Sequence, residues 1–220
     1  MRSPRRGFVT PFTAGPAAGC NDACMDTTEI DAVLAFWFAD RTQDALTLDS
    51  RMGAWFGTNA AFDDELRERF ASLVKRAFAG DLDDWSADPQ GRLALILLLG
   101  QFPRHLFPNH KLAFRGDGKA LRLCQQGVAD DSYRELTPLQ QLFFFMPLQR
   151  IESTKIQAMS VRIYAALAKR SSATLRDTFE TVAQFAELRH DIVQQFGRFP
   201  HRDAVLGRAA TEHEDALTAS

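Results

Sequence analysis

The sequence predicts an all-α protein. Segments whose apolar residues recur at helical spacing follow one another, and no segment shows the alternation of a half-buried strand. The 220 residues are 45% hydrophobic and include 18 Phe, enough to bury one large, strongly aromatic core. Neighbouring helices differ in length and spacing, and no fixed repeat period is present. We therefore expect an irregular array of α–α hairpins.

The beginning of the chain differs in composition from the rest. Residues 1–27 are rich in Gly, Pro, Ala and Arg and have no apolar period, which predicts a disordered tail. Residues 28–220 are expected to form a single helical domain. Its first helix is predicted from Thr28 to about Asp40, with Thr28 as the capping residue. Met25 lies just before this helix and is an alternative start to Met1.

Local signals divide the remaining chain into helices. Gly80 and Gly197 stand where the left-handed residue after a helix belongs. Asp88-Pro89 and Thr137-Pro138 combine a capping side chain with proline in the first turn. These signals and the apolar stripes predict further helices at about residues 59–79, 89–102, 117–128, 138–145, 151–169 and 174–196. A short terminal helix is possible over residues 211–217.

Two segments differ from a helix with a single apolar stripe. The run Leu93–Leu99 is apolar on all sides, so its helix should lie in the centre of the fold. That helix is predicted to end near Phe102, because Pro103 disfavours helical geometry in the residue before it. A polar loop is expected up to about residue 50, followed by a short aromatic segment around Trp55 and Phe56.

The composition excludes several classes of function. A net charge of −2 argues against a dedicated nucleic-acid-binding protein, which usually carries a basic excess. No apolar run is long enough to cross a membrane. The odd set of Cys20, Cys24 and Cys124 favours a reducing compartment, so we expect a cytoplasmic protein. No second Cys or His pair follows at zinc-binding spacing, and no metal is expected.

Known catalytic and cofactor motifs are also missing from the sequence. There is no nucleophile elbow of the G-x-S-x-G type, no phosphate-binding P-loop and no H-E-x-x-H pair. Gly116-Asp117-Gly118 is a glycine-rich turn that does not follow a strand, so it does not indicate a dinucleotide site. We expect no cofactor.

Three polar motifs remain as candidates for a site. Gln101 and Arg104 follow the most apolar helix, where they either satisfy terminal carbonyls or donate to an anionic ligand. Arg198, His201 and Arg202 surround Pro200 after the last long helix, and they form either a helix cap or an anion-binding turn.

The third motif contains Glu152, which continues the apolar stripe of the helix predicted at residues 151–169. A carboxylate that faces a core needs a cationic partner, because the cost of desolvation exceeds what a helix N-terminus returns. Arg104, His201 and Arg202 are the candidate partners. Glu152 is then either a structural ion pair or an acid–base group. His190, inside the last long helix, is either a structural histidine or a catalyst.

Four stretches resemble a bacterial family, domain-of-unknown-function family 924. They are VLAFWF at residues 33–38, GRLALILLLGQFPRHLF at 91–107, MPLQRIE at 146–152 and HDIVQQFGRFPHRDAVLG at 190–207. The resemblance covers about residues 28–217, and the F-G-R-F-P-H-R run is its most specific part. The family is similar to tetratricopeptide-like helical folds. The resemblance therefore implies a superhelical α–α array, and it implies no particular activity.

The sequence departs from the pattern of that family in three motifs. The family pattern D-Q-F-P-R-N has Gly100 and His105 at its ends here. The pattern P-L-x-H-S-E has Arg150 in place of its histidine, followed by Ile151 and Glu152, and P-H-R-N has Asp203 at its end. If the aspartate and histidine of the common pattern are catalytic, this chain has lost or altered that activity.

Three hypotheses of function follow. The first is a helical binding domain whose polar pocket holds a small anionic metabolite or an acidic peptide end. Its candidate binding residues are Gln101, Arg104, Glu152, Arg198, His201 and Arg202. The second is an enzyme, a hydrolase or lyase on a small acidic substrate, that uses Glu152 with His201 or His190. The third is a structural interaction protein whose polar motifs only cap helices.

Overall fold

The computed structural model of the protein describes residues 20–38 and 45–209, and this part of the chain contains helices and turns without a strand. The α-helices are α1 (Cys20–Phe38), α2 (Ala45–Phe56), α3 (Ala60–Ala79), α4 (Pro89–Ile96), α5 (Phe102–Leu106), α6 (Asp117–Ala129), α7 (Pro138–Phe144), α8 (Thr154–Arg170), α9 (Arg176–Phe196) and α10 (Asp203–Leu206). A π-helical turn, Leu97–Gln101, joins α4 to α5. Short 3-10 helices cover Asp83–Ala87, Lys111–Phe114, Ser132–Glu135, Met146–Arg150, Ala173–Leu175 and Pro200–Arg202. The prediction of an all-α fold is confirmed, and its superhelical detail stays a prediction.

The predicted capping signals act where the sequence placed them. Gly80 and Gly197 end α3 and α9 with φ of 98° and 70°, in the left-handed region that favours glycine. The Asp88 side chain accepts a hydrogen bond of 2.8 Å from the Gly91 N–H at the start of α4. Thr137 and Gln140 form a reciprocal capping box at the start of α7. These signals depend only on residues within one helical turn.

The structure corrects two predictions for the first part of the chain. α1 begins at Cys20 and not at Thr28, so the end of the predicted tail is helical. The rest of that tail, residues 1–19, and the possible helix at 211–217 lie outside the described residues. Residues 45–56, where the end of a polar loop and a short aromatic segment were predicted, form a full helix, α2. Its end is held by packing: Trp55 stacks on Trp37 and donates a 3.0 Å hydrogen bond to the Trp37 carbonyl.

The central helix does not end at Phe102 as predicted. The N–H of Phe102 bonds to the carbonyl of Leu97, five residues back, which widens the helix by one residue into a π turn. In a regular helix the Pro103 ring would clash with the carbonyl of Leu99, four residues back. The wider turn removes that conflict, so the chain continues helically through Pro103 to Leu106. The prediction failed because it considered only the regular α geometry.

The core surrounds this central helix. Every residue from Leu93 to Leu99 is at most 1% exposed. Trp37 is fully buried and contacts the rings of Phe62, Phe102 and Phe143. α8 and α9 pack along each other as the most extensive helix pair of the described chain. The Met146–Arg150 turn follows α7 and contacts both α8 and α9, and this packing places the polar motifs close together.

Candidate functional site

A cavity of about 410 Å³ lies between the end of α2, α5, the Met146–Arg150 turn and α9. Part of its wall is polar and carries the side chains of Gln101, Arg104, His105, Gln149, Arg150 and Arg189. Another part is apolar and consists mainly of Trp55, Phe56, Met146, Val182 and Phe185. Of the predicted binding residues, Gln101 and Arg104 lie in this wall.

Arg104 is fully paired with groups of the protein. Its two terminal nitrogens donate to the two carboxylate oxygens of Asp117, each at 2.9 Å. It also donates to the carbonyls of Gly100 and, at 3.2 Å, Ala113. Its guanidinium lies 5.3 Å from the centre of the Phe114 ring. Arg104 therefore stabilises the structure of the cavity wall and adds little unpaired positive charge to it.

Arg150 and Arg189 are different, because neither forms an ion pair with a carboxylate of the described residues. Arg150 donates a 3.3 Å hydrogen bond to Gln101 Oε1, and its buried Nε has no partner among the described residues. Arg189 donates to Gln149 Oε1. Burial, together with the charges of Arg104 and Arg189, lowers the pKa of Arg150 well below its usual range. Burial also lowers the pKa of Arg189, although Tyr164 opposes the shift.

His105 lies in the same wall and is held by a carboxylate. Its Nδ1 lies 2.8 Å from Asp63 Oδ1, and its ring packs edge-on against Trp37 and Phe62. Burial lowers the pKa of His105 below 6.5 even though Asp63 acts in the opposite direction. The carboxylate orients the imidazole, as such partners do for functional histidines.

Arg202, a predicted binding residue, lies behind the cavity wall. Only 7% of the residue is exposed, and its guanidinium stacks on Phe199 at 4.4 Å and Phe114 at 4.9 Å. It donates to the carbonyl of Arg150 at 2.9 Å and lies 3.7 Å from Asp117. Burial lowers its pKa to about 10, with Asp117 opposing the shift. Arg202 therefore supports the turn that carries Arg150.

Glu152 is ion-paired, but with a partner that the sequence analysis did not consider. Its oxygens contact Arg208 Nη1 at 2.6 Å and Nη2 at 3.0 Å, and it accepts from the Phe199 N–H at 2.9 Å. Arg104, His201 and Arg202 were the wrong candidates. Glu152 also precedes α8, whose capping position is Ser153, so it does not extend the apolar stripe of that helix.

The remaining candidates lie outside the cavity wall. Arg198 pairs with Asp203 at 2.8 Å and donates to the Ala209 carbonyl at 2.7 Å. His201 is exposed, with its ring 5.6 Å from that of Phe199. His190 is partly exposed on α9, with Nδ1 3.1 Å from its neighbour Asp191. The acid–base pairing of Glu152 with His201 or His190 therefore has no position in the cavity.

Sequence reasoning missed Arg189, Gln149 and the His105–Asp63 pair as parts of a site. Arg189 follows Val182 and Phe185 at spacings of seven and four, which places it on the cavity face of α9. Arg150 and His105 had been noticed only as departures from a family pattern. In the structure both residues line the same cavity. In the sequence, their departure from the family pattern was the available signal.

Replacing Glu152 by Gln should lower the free energy of unfolding by about 1–2 kcal/mol at pH 7, because charge-assisted hydrogen bonds are lost. Burial alone would raise the pKa of Glu152, but Arg208 and the Phe199 N–H outweigh it and lower the pKa from 4.5. A depressed carboxyl pKa stabilises the fold above the unfolded value and loses that effect as the pH falls through the folded value. Denaturant unfolding between pH 7 and 3 should therefore show the two proteins converging at acidic pH. The exposed Glu187→Gln is the control, and a difference that stays constant with pH would contradict the assignment.

The described residues contain no helix that is both long and apolar enough to cross a membrane. Nor do they bring together three His, Cys, Asp or Glu side chains in a way that could hold a metal ion.

Comparison with known proteins shows similarity to bacterial proteins of unknown function. The sequence model of a family described as bacterial protein of unknown function, DUF924, matches residues 33–220. A solved structure, that of a protein of unknown function from Agrobacterium tumefaciens, is 26% identical with a TM-score of 0.68. The similarity covers 89% of this chain and 97% of that one. Comparison with curated proteins gave no match.

Proposed function

The chain belongs to the bacterial family of unknown function DUF924, and we propose that it binds a small anion in the cavity between α5 and α9. One observation carries the proposal: Arg150 and Arg189 line the same cavity, and neither is paired with a carboxylate of the described residues. Clefts with a few convergent polar groups and strongly shifted pKa values are where ligands usually bind.

A buried charge without a counter-charge is energetically unfavourable. Removing a guanidinium from water costs several kcal/mol unless a counter-charge is supplied. The Gln101 and Gln149 amide oxygens offer hydrogen bonds to Arg150 and Arg189 but no charge. A bound anion would supply that charge, and the planar guanidinium favours two-pronged contact with carboxylate or phosphate oxygens.

The predicted residues take different roles in this proposal. Gln101 and Arg104 belong to the cavity wall, where Gln101 holds Arg150. Arg202 holds the Arg150 carbonyl from behind. Glu152 binds Arg208, and Arg198 binds Asp203, so both anchor the segment that follows α9. These contacts fix the position of the cationic groups before a ligand arrives.

An enzyme remains the second candidate, and it now depends on His105. An imidazole that is oriented by the Asp63 carboxylate and lines the same cavity is the candidate general base. One-dimensional NMR of an added anion would distinguish the two functions. Conversion of the anion that is lost in His105→Gln supports the enzyme, and reversible line broadening without conversion supports binding alone.

We expect phosphate, sulfate and succinate to raise the melting temperature of the protein, by an amount that grows with the logarithm of concentration above Kd. Arg189→Gln should remove most of this shift. Without added anion the variant should be as stable as the parent or slightly more so, because a buried unpaired charge and its repulsion are gone. Differential scanning fluorimetry measures both effects.

The matched control is Arg162→Gln, which removes an exposed arginine of α8 away from the cavity. This variant should retain the full anion shift. If no anion stabilises the parent protein, or if Arg162→Gln loses the shift as completely as Arg189→Gln, the cavity is not an anion site.

A further inference from the structure

The apolar half of the cavity indicates which chemical class of anion the site binds. We infer that the ligand is a free carboxylic acid with an apolar body, whose carboxylate binds at Arg150 and Arg189. This inference depends on the proposed anion site and adds to it the chemistry of the ligand body.

α9 shows how the two halves of the cavity are arranged. Val182, Phe185 and Arg189 all line it, so one face of this helix changes from apolar to cationic along its length. Seven residues of α-helix span about 10 Å. The Arg189 guanidinium lies 5.8 Å from the centre of the Phe185 ring, so the two kinds of wall are directly adjacent. A ligand that contacts both must be anionic at one end and apolar beside it.

A second element repeats this arrangement, and a third adds only to the apolar wall. The Met146–Arg150 turn contributes Met146 to the apolar wall and Arg150 to the cationic wall. The end of α2 contributes Trp55 and Phe56. Phe56 and Phe185 are 41% and 45% exposed. Large apolar side chains that are exposed at a cavity usually bind the apolar surface of a ligand. An inorganic anion would leave these groups without a role.

Charge and size favour a single carboxylate on a small molecule. Arg104 already donates two hydrogen bonds to Asp117, which leaves Arg150 and Arg189 as the arginines of the cavity wall without an ion pair to a described carboxylate. Asp63 places a negative charge in the same wall, which disfavours a second anionic group on the ligand body. A cavity of about 410 Å³ has the size that encloses a small organic molecule.

The test is a series of straight-chain acids, acetate, butanoate, hexanoate and octanoate, titrated into the full chain by calorimetry beside phosphate and succinate. Each buried methylene should tighten binding by about fourfold until the cavity is filled. Hexanoate should therefore bind much more tightly than phosphate or succinate. The corresponding amide, hexanamide, should bind weakly because it lacks the charge.

A pair of variants on α9 separates the two walls. Phe185→Gln should lower the affinity for octanoate at least tenfold more than it lowers the affinity for phosphate. Leu188→Gln is the matched control, because Leu188 is also apolar and 54% exposed on α9 but does not line the cavity. Arg189→Gln should weaken the binding of every anion.

Each other outcome has a defined meaning. Binding of phosphate and succinate without dependence on chain length would overturn the inference and leave the proposed anion site intact. If a tripeptide that ends in Phe binds more tightly than any free acid, the ligand is a peptide end, and the inference of a free acid is wrong. Absence of binding by any anion would overturn both the inference and the proposed function.

Discussion

Asp117→Asn should lower the free energy of unfolding by about 3–5 kcal/mol, the range observed when one partner of a buried ion pair is removed. Asp117 accepts two hydrogen bonds from Arg104 and lies 3.7 Å from Arg202. The side chains of these arginines are only 16% and 8% exposed, so water cannot replace the lost carboxylate. Asparagine keeps the shape and removes the charge. Urea unfolding at pH 7 measures the loss.

The control is Asp64→Asn, which removes the carboxylate of an exposed pair on α3 with side chains 50% and 77% exposed. Its cost should be about 0.5 kcal/mol or less, as for other surface pairs on a helix. Equal costs for the two variants would show that Asp117 does not hold two buried cations. The double variant Arg104→Met with Asp117→Asn should cost less than the sum of the single changes, because the two residues are coupled.

Gly116→Ala should destabilise the protein by about 2–3 kcal/mol, because the new methyl group would enter backbone that cannot rotate away. A Cβ at this position would lie 2.3 Å from the Leu99 carbonyl oxygen and 2.9 Å from the carbonyl carbon and Cα of Leu99. Leu99 belongs to the π turn that carries Gln101 into the cavity wall. The variant should therefore also weaken anion binding. Unfolding and calorimetric titration measure the two effects.

Gly118→Ala provides the matched comparison two residues further along α6. Its Cβ would have only Arg122 Nη1 nearby, at 4.0 Å. Alanine is the better helix former, so this variant should gain up to about 1 kcal/mol. If both variants change stability in the same direction, the close approach of α6 to the π turn is not what requires glycine at residue 116.

The polar residues of the cavity wall differ in how far the sequence could predict them. Gln101 and Arg104 were identified because they follow the most apolar helix, and the central position of that helix is a property of composition. Arg150 was noticed for its difference from a family pattern, but its unpaired state depends on which carboxylates the fold brings near it. Arg189 gave no sequence signal beyond its spacing on α9.

Apolar spacing along the chain was enough to predict the all-α class, and local signals predicted the helix ends at Gly80 and Gly197 and the starts at Asp88 and Thr137. Each of these ends and starts depends on atoms within about one turn of helix, so local chemistry decides it.

The long-range ion pairs and the cavity depend on how the helices pack. Glu152 pairs with Arg208, 56 residues away, and Arg189 meets Gln149 at a separation of 40. Charged side chains are long and can reach many partners, so sequence spacing does not choose between them. The packing of α8, α9 and the Met146–Arg150 turn makes that choice, and it leaves two arginines of the cavity wall without an ion pair to a carboxylate of the described residues.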